Sequence, residues 1–176
     1  MHIPIGEKVE KMFSGISNKY DFLNHVLSFG IDYYWRDRLA KKVKILNPNS
    51  LMDLATGSGD VAFKLSDTLN KECEITATDF CQPMLDQAKF KQIKSKKYSN
   101  ISFEHGDAMN LDFEDNTFDI VTVAFGVRNF ENRNKGLREI LRILKPQGSL
   151  FVLEFSQPDT WFRPFYFLYL KYILPC

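Results

Sequence analysis

The sequence predicts an α/β fold, a mainly parallel sheet with helices on both faces. Three observations predict it. From Ser50 onward, strand-like apolar runs alternate with helix-like runs. The first strand leads into a glycine turn flanked by acids, Asp53-Leu54-Ala55-Thr56-Gly57-Ser58-Gly59-Asp60, which opens the helix-like run Val61 to Leu65. Acidic residues then recur after the next two strands, as Asp79 and Asp107.

The elements follow in order. Residues 7 to 46 read as helical with one break. Val9, Met12, Phe13 and Ile16 recur at helical spacing, and Ser17-Asn18-Lys19-Tyr20-Asp21 is turn-like. The pattern resumes over Phe22 to Leu27 and Tyr33 to Leu46, and Asn47-Pro48-Asn49 ends it. This layer, residues 1–49, is expected to cap the mouth of the sheet. Strands are expected at 50–54, 74–78, 101–105, 118–124 and 148–154, and helices at 60–68, 82–94 and 133–144. Pro83 sits near a helix start, where a missing N–H is harmless. Lys145-Pro146-Gln147-Gly148 is expected to stop the last helix before the fifth strand. Residues 50–156 thus form the α/β core, followed at 157–176 by an aromatic helix that stops early. At 176 residues the chain suits a single domain, 1–176.

Composition narrows the class. Apolar content of 44% and charged content of 26% are those of a globular protein. A net charge of +1 gives no electrostatic case for nucleic acid. The cluster Lys89, Lys91, Lys94, Lys96 and Lys97 reads as a solvated helix face and following loop. Cys73, Cys81 and Cys176, with His2, His25 and His105, lack metal-ligand spacing, so no metal site is expected. Free thiols suit a reducing, cytoplasmic setting. Glu7, Lys8, Glu10 and Lys11 leave no room for a signal-peptide core. Trp161 to Leu174, interrupted by Arg163, Pro164 and Lys171, is too short for a span of roughly 20 residues. A segment that apolar needs a cover, from the rest of a longer chain, a partner or a membrane surface.

The glycine turn and its acids point to a ligand. Gly57 and Gly59 let a ligand lie against bare backbone. A dinucleotide would set its pyrophosphate on the helix N-terminus, where Asp53 and Asp60 would oppose it. S-adenosylmethionine, with a sulfonium, an ammonium and no phosphate, suits that field better. Gly57-x-Gly59-x-x-Ala62 also meets the relaxed dinucleotide fingerprint, which keeps an NAD-dependent oxidoreductase as an alternative. Asp60 either caps the helix or adds to the field. Asp79, ending the second strand, either accepts from ribose hydroxyls or caps the following helix. Asp107 can accept from an adenine amino group, and Ala108 leaves room for the ring. Phe125-Gly126-Val127-Arg128-Asn129 lies at the carboxyl edge of the fourth strand. The Asn/Asp-Pro-Pro-aromatic run of amino-methylating nucleic-acid enzymes is absent there. Arg128 and Asn129 hold an acceptor oxygen, or Arg128 pairs with Glu131. Asp119 is expected to accept backbone N–H groups at the strand start. Glu154 either faces the site or caps a loop. Phe162, Phe165, Phe167 and Tyr169 are expected in the core or a lid.

Together these residues resemble the class I S-adenosylmethionine-dependent methyltransferases, a three-layer Rossmann-like fold. Two long stretches narrow the likeness. Tyr20-Asp21-Phe22-Leu23-Asn24-His25-Val26-Leu27-Ser28-Phe29-Gly30-Ile31-Asp32-Tyr33-Tyr34-Trp35 is similar to the N-terminal signature of the ubiquinone/menaquinone biosynthesis C-methyltransferases. Arg142 to Ser156 is similar to their second signature, and Phe125 to Asn129 to their post-strand segment. The resemblance implies methylation of a ring carbon on a demethylated polyprenyl quinol. It implies Arg128, Asn129 and Tyr20 as catalytic residues. Asp53, Thr56, Gly57, Ser58 and Gly59 would hold the methionyl end, and Asp79, Asp107 and Ala108 the adenosine. Ala124 stands where some members carry a Ser that touches the cofactor. Leu23 replaces the family's usual Met, Asp32 its usual His, and Gln147 a turn Gly. The family continues into a final helix and a β-hairpin, giving seven strands. This chain is expected to lack them, which leaves an inactive S-adenosylmethionine-binding protein as a second alternative. The expected partners are the quinol, a peripheral membrane contact through residues 161–174, and a homodimer or a quinone-biosynthesis complex, with no nucleic acid.

Overall fold

The computed structural model describes residues 31–154, together with 163, 164 and 167. The expected helices before residue 31, Tyr20 and most of the aromatic segment lie outside the described residues. The elements are α1 (Ile31–Ile45), β1 (Ser50–Leu54), α2 (Asp60–Thr68), β2 (Glu74–Asp79), α3 (Gln82–Ser95), β3 (Ile101–His105), β4 (Phe118–Ala124), a 3₁₀ turn (Val127–Asn129), α4 (Arg133–Ile143) and β5 (Leu144–Leu153).

All five strands are parallel, in the order β3-β2-β1-β4-β5. A parallel sheet must be covered on both faces, and the strand residues divide accordingly. Leu51, Ile75, Ala77, Ile101, Phe103 and Ile120 pack with Leu39, Val43, Val61, Leu65, Leu85 and Ala88, from α1, α2 and α3. Met52, Leu54, Val121 and Val123 pack on the other side with Ile140 and Ile143 of α4. Neighbouring residues of one strand face opposite ways, so Leu51 and Met52 belong to different layers.

Most boundaries agree with the sequence to within a residue or two. The exception is β5, which begins at Leu144, not at 148, directly from α4. The Lys145-Pro146-Gln147-Gly148 stretch is an irregularity inside the strand. Phe118 and Ile120 of β4 pair with Leu144 and Ser149 of β5, so a step of two residues faces a step of five. Pro146 is tolerated because β5 is hydrogen-bonded on one side only among the described residues. Gln147 takes a left-handed φ of 68° there.

The amino end of the sheet is closed by Asp119. Its carboxylate accepts from the backbone N–H groups of Asn49 and Ser50, at 3.0 and 2.9 Å, and pairs with Lys145 Nζ at 2.9 Å. Burial alone would raise this carboxyl. The Lys145 ammonium and the backbone donors outweigh it and hold its pKa down to about 2.

Candidate active site

The strand order reverses between β1 and β4, and in an open α/β sheet such a reversal leaves a crevice at the carboxyl ends of the strands. A cavity lies there. It is lined by Leu54, Ala55 and Gly57 after β1, Asp79, Phe80, Cys81 and Met84 after β2, and Gly106 to Met109 after β3. Ala124, Phe125, Gly126, Asn129, Phe130 and Glu131 after β4 complete it.

The glycine turn is built from inside. Thr56 Oγ1 donates to Asp53 Oδ2 at 2.6 Å, and Thr122 Oγ1 donates to Asp53 Oδ1 at 2.7 Å. Asp53 is 1% exposed. Burial pushes its carboxyl up to about 6, partly opposed by the two threonine hydroxyls. Gly59 has φ 86° and is the N-cap of α2. A Cβ on it would meet Phe63 Cε2 at 2.9 Å and Phe103 Cε1 at 3.1 Å, so it is a packing glycine. Gly57 differs. Its φ is 59°, and a Cβ would meet only Met84 Cε, at 3.4 Å, on the cavity side.

Asp79 joins the first two loops. Its Oδ2 accepts from Gly57 N at 2.7 Å and its Oδ1 from Cys81 N at 2.9 Å. The Phe80 backbone also bonds this carboxylate, which has about four acceptor sites and so keeps room for a ligand hydroxyl. Burial pushes this carboxyl above its ordinary value, and the backbone donors oppose that shift. Asp79 does not cap α3, whose N-cap is Cys81 with no side-chain bond. Asp107 Oδ1 accepts from Met109 N at 2.9 Å, which fixes the loop after β3.

Of the residues expected to bind cofactor, Gly57, Asp79, Asp107, Ala108 and Ala124 line the cavity, as does the expected catalytic Asn129. Asp53, Thr56, Ser58, Gly59 and the expected catalytic Arg128 are not among the lining residues. The electrostatic expectation needs correction. Asp53 is screened by its threonines, and Asp60 is not free of cations. Asp60 pairs with Arg36 Nη1 at 3.0 Å and with Lys91 Nζ at 2.8 Å. Both cations come from other helices, so their proximity was invisible in the local sequence. Lys91 is therefore not simply part of a solvated face. It also donates to Ser58 O at 3.1 Å. Asp32 forms an ion pair with Arg36 at 3.2 Å. Among the described residues, the charged ones that line the cavity are Asp79, Asp107 and Glu131. The repulsion expected at the start of α2 is thus offset by Arg36 and Lys91, and the acids that face the cavity are those after β2, β3 and β4.

Arg128 is also repartnered. Its Nη1 donates to Glu154 Oε2 at 2.7 Å, where the sequence suggested Glu131. Its guanidinium lies 5.7 Å from the centroid of the Phe125 ring, a wall residue. Phe80, Cys81, Met84, Met109 and Phe130 also line the cavity, beyond the residues expected from the sequence. Their common signal is position, each lying within a few residues of a strand's carboxyl end.

The cavity fits a nucleoside with a cationic tail: an acid for a diol, a small residue beside a second acid, bare glycine backbone and apolar walls. Comparison with known proteins agrees. The ubiE/COQ5 methyltransferase family model matches residues 4–176. A ubiquinone/menaquinone biosynthesis C-methyltransferase UbiE of Geotalea daltonii is 40% identical over 171 residues, 97% of this chain and 73% of the relative. A demethylmenaquinone methyltransferase of Bacteroides fragilis is 41% identical over 170 residues, 96% of this chain and 69% of the relative. Among solved structures, a putative S-adenosyl-L-methionine-dependent methyltransferase from Methanococcus maripaludis superposes with a TM-score of 0.65 at 21% identity, covering 86% of this chain and 65% of that one. The [4+2]-cyclase SpnF superposes at 0.61 with 29% identity, covering 67% and 44%. Fold alone therefore leaves the chemistry open. The match along nearly the whole sequence decides the matter: the chain belongs to the ubiE/COQ5 methyltransferase family.

Proposed function

We propose that this protein methylates a ring carbon of a demethylated polyprenyl quinol, with S-adenosylmethionine as donor. The observation that carries the reading is the cavity at the strand-order reversal, with Asp79 tied to Gly57 and acids at the ends of β2 and β3 on its wall. The relatives' names supply the acceptor class.

When bound, the donor supplies a methyl group already activated on a sulfonium. Asp79 would accept the ribose hydroxyls, Asp107 and Ala108 would border the adenine, and Gly57 would leave room for the methionyl end. Asp53, Thr56, Ser58 and Gly59 would hold the turn in shape behind it. Ala124 would border the donor, Asn129 would border the acceptor ring, and Tyr20 would help seat it. The acceptor carbon becomes nucleophilic as its neighbouring hydroxyl loses a proton, and it sheds its own ring hydrogen as a proton once a carbon–carbon bond replaces the methyl–sulfur bond. A guanidinium has donors and no acceptor, so the final proton acceptor is another group. Arg128 would stabilise the forming phenolate or orient a water that takes the proton. The remaining catalysis is positioning.

Titration calorimetry with S-adenosylmethionine and with NADH tests the donor, and only the first should bind. Methyl transfer to a short-chain demethylmenaquinol tests the acceptor. Arg128→Ala should abolish turnover while donor affinity is retained; equal loss of both would reject the assigned role.

The prenyl tail calls for peripheral contact with a bilayer, for which residues 161–174 are the proposed segment. Among the described residues no helix is long and apolar enough to cross a membrane. Flotation with liposomes, with and without that segment, tests the contact.

A further inference from the structure

We propose that Glu154 is the positioning residue for Arg128, holding its guanidinium at the acceptor side of the cavity. The inference rests on the catalytic reading of Arg128 given above. Glu154 directly follows β5, and Arg128 lies in the 3₁₀ turn after β4. The two strand ends are tied next to them, since Phe125 N donates to Leu153 O at 2.7 Å. From that fixed base the Glu154 carboxylate reaches Arg128 twice. Oε2 accepts from Nη1 at 2.7 Å, and Oε1 accepts from the Arg128 backbone N at 3.3 Å. One carboxylate therefore holds the main chain and the tip of the same residue.

The pair is poorly suited to a purely stabilising role. The Arg128 and Glu154 side chains are 43% and 23% exposed, and exposed ion pairs add little to stability. What the contact does supply is direction. An arginine on an exposed turn has a long flexible stem that samples solvent. Here it is drawn toward the β5 end and across the Phe125 ring, which lines the cavity. Phe125 itself holds a left-handed φ of 57°, so the turn has a defined shape for the guanidinium to be registered against. Glu154 does not line the cavity, and its removal should spare donor binding.

The test is a steady-state series on Glu154→Ala, Glu154→Gln, Arg128→Ala and the double variant Arg128→Ala/Glu154→Ala. Substrates are S-adenosylmethionine and a short-chain demethylmenaquinol, and donor Kd and Tm are measured in parallel. Glu154→Ala should lower kcat about 10²-fold with donor Kd unchanged. Glu154→Gln, which can still accept a hydrogen bond but carries no charge, should lose about tenfold. Formate should restore turnover to Glu154→Ala and not to Arg128→Ala, and Glu154→Ala should add no further loss in the Arg128→Ala background. Wild-type kcat in Glu154→Ala or Glu154→Gln, beside an inactive Arg128→Ala, overturns the proposal. A parallel fall of kcat and donor affinity without formate rescue also overturns it, as a structural role. If Glu154→Ala fails to fold, the kcat of Glu154→Gln decides. Wild-type turnover in Arg128→Ala would instead reject the catalytic reading beneath it.

Discussion

A β-carbon placed on Gly126 would lie 2.6 Å from the β-carbon of Ala55. These residues sit just past adjacent central strands, β1 and β4, at the strand-order reversal. Ala55 has a φ of 58° and Phe125 a φ of 57°, so both loops leave the sheet through left-handed residues that are not glycine. Such backbone costs energy and persists only where its surroundings enforce it. The missing side chain of Gly126 is what lets the two bends approach.

Gly126→Ala should therefore destabilise the protein by about 1–3 kcal/mol, because the blocking methyl is anchored to backbone and cannot swing away. It should also weaken donor binding. Adding Ala55→Gly should recover much of both losses. Thermal unfolding and donor titration of the single and double variants check this.

Gln147 offers the opposite experiment. Its φ of 68° suits glycine. Relief of the left-handed strain outweighs the extra entropy that glycine gives the unfolded chain. Gln147→Gly should stabilise by about 0.5–1 kcal/mol, read as a higher urea midpoint at unchanged slope.

Asp53 should make stability depend on pH. Its carboxyl rises from an ordinary 3.8 to about 6 in the folded protein. Between those values the native state holds a proton that the unfolded chain has released. The contribution is thus complete below pH 3.8 and lost as pH rises through about 6. The whole effect is roughly 3 kcal/mol. Asp53→Asn cannot ionise, so the difference in unfolding free energy between wild type and variant should slope across this window and flatten above it.

Asp119 should behave with the reverse sign. Its folded pKa is depressed to about 2, so its contribution is present above pH 3.8 and lost as pH falls toward 2. Asp119→Ala also strips two backbone N–H groups and Lys145 of their acceptor. A loss of about 2 kcal/mol is expected at neutral pH, checked by denaturant unfolding.

Asp79→Asn should weaken donor binding about 10²-fold, since one amide must turn its NH₂ toward a backbone N–H of Gly57 or Cys81. Titration of the donor is the check.

The sequence made the sheet legible because its cues are local. Strands at 50–54, 101–105 and 118–124 form within the bounds their apolar patterns set. Asp79 and Asp107 were legible as cavity residues because a strand's carboxyl end has one place to be in a parallel sheet. Across β5 the cues conflicted. A Pro-Gln-Gly run reads as a turn, and only pairing with β4 carries the strand through it.

Charge was the least legible property. Asp53 and Asp60 look alike around the glycine turn, yet one is sealed under two hydroxyls and the other is neutralised by Arg36 and Lys91. Arg128 has Glu131 three residues away and meets Glu154 instead. By itself the sequence determined the order of strands and helices, the acidic series at their ends and the family, because those depend on residue type and spacing along the chain. The tertiary structure alone decided how the charges around the glycine turn and at Arg128 are paired, because side chains distant in sequence meet only when the chain folds.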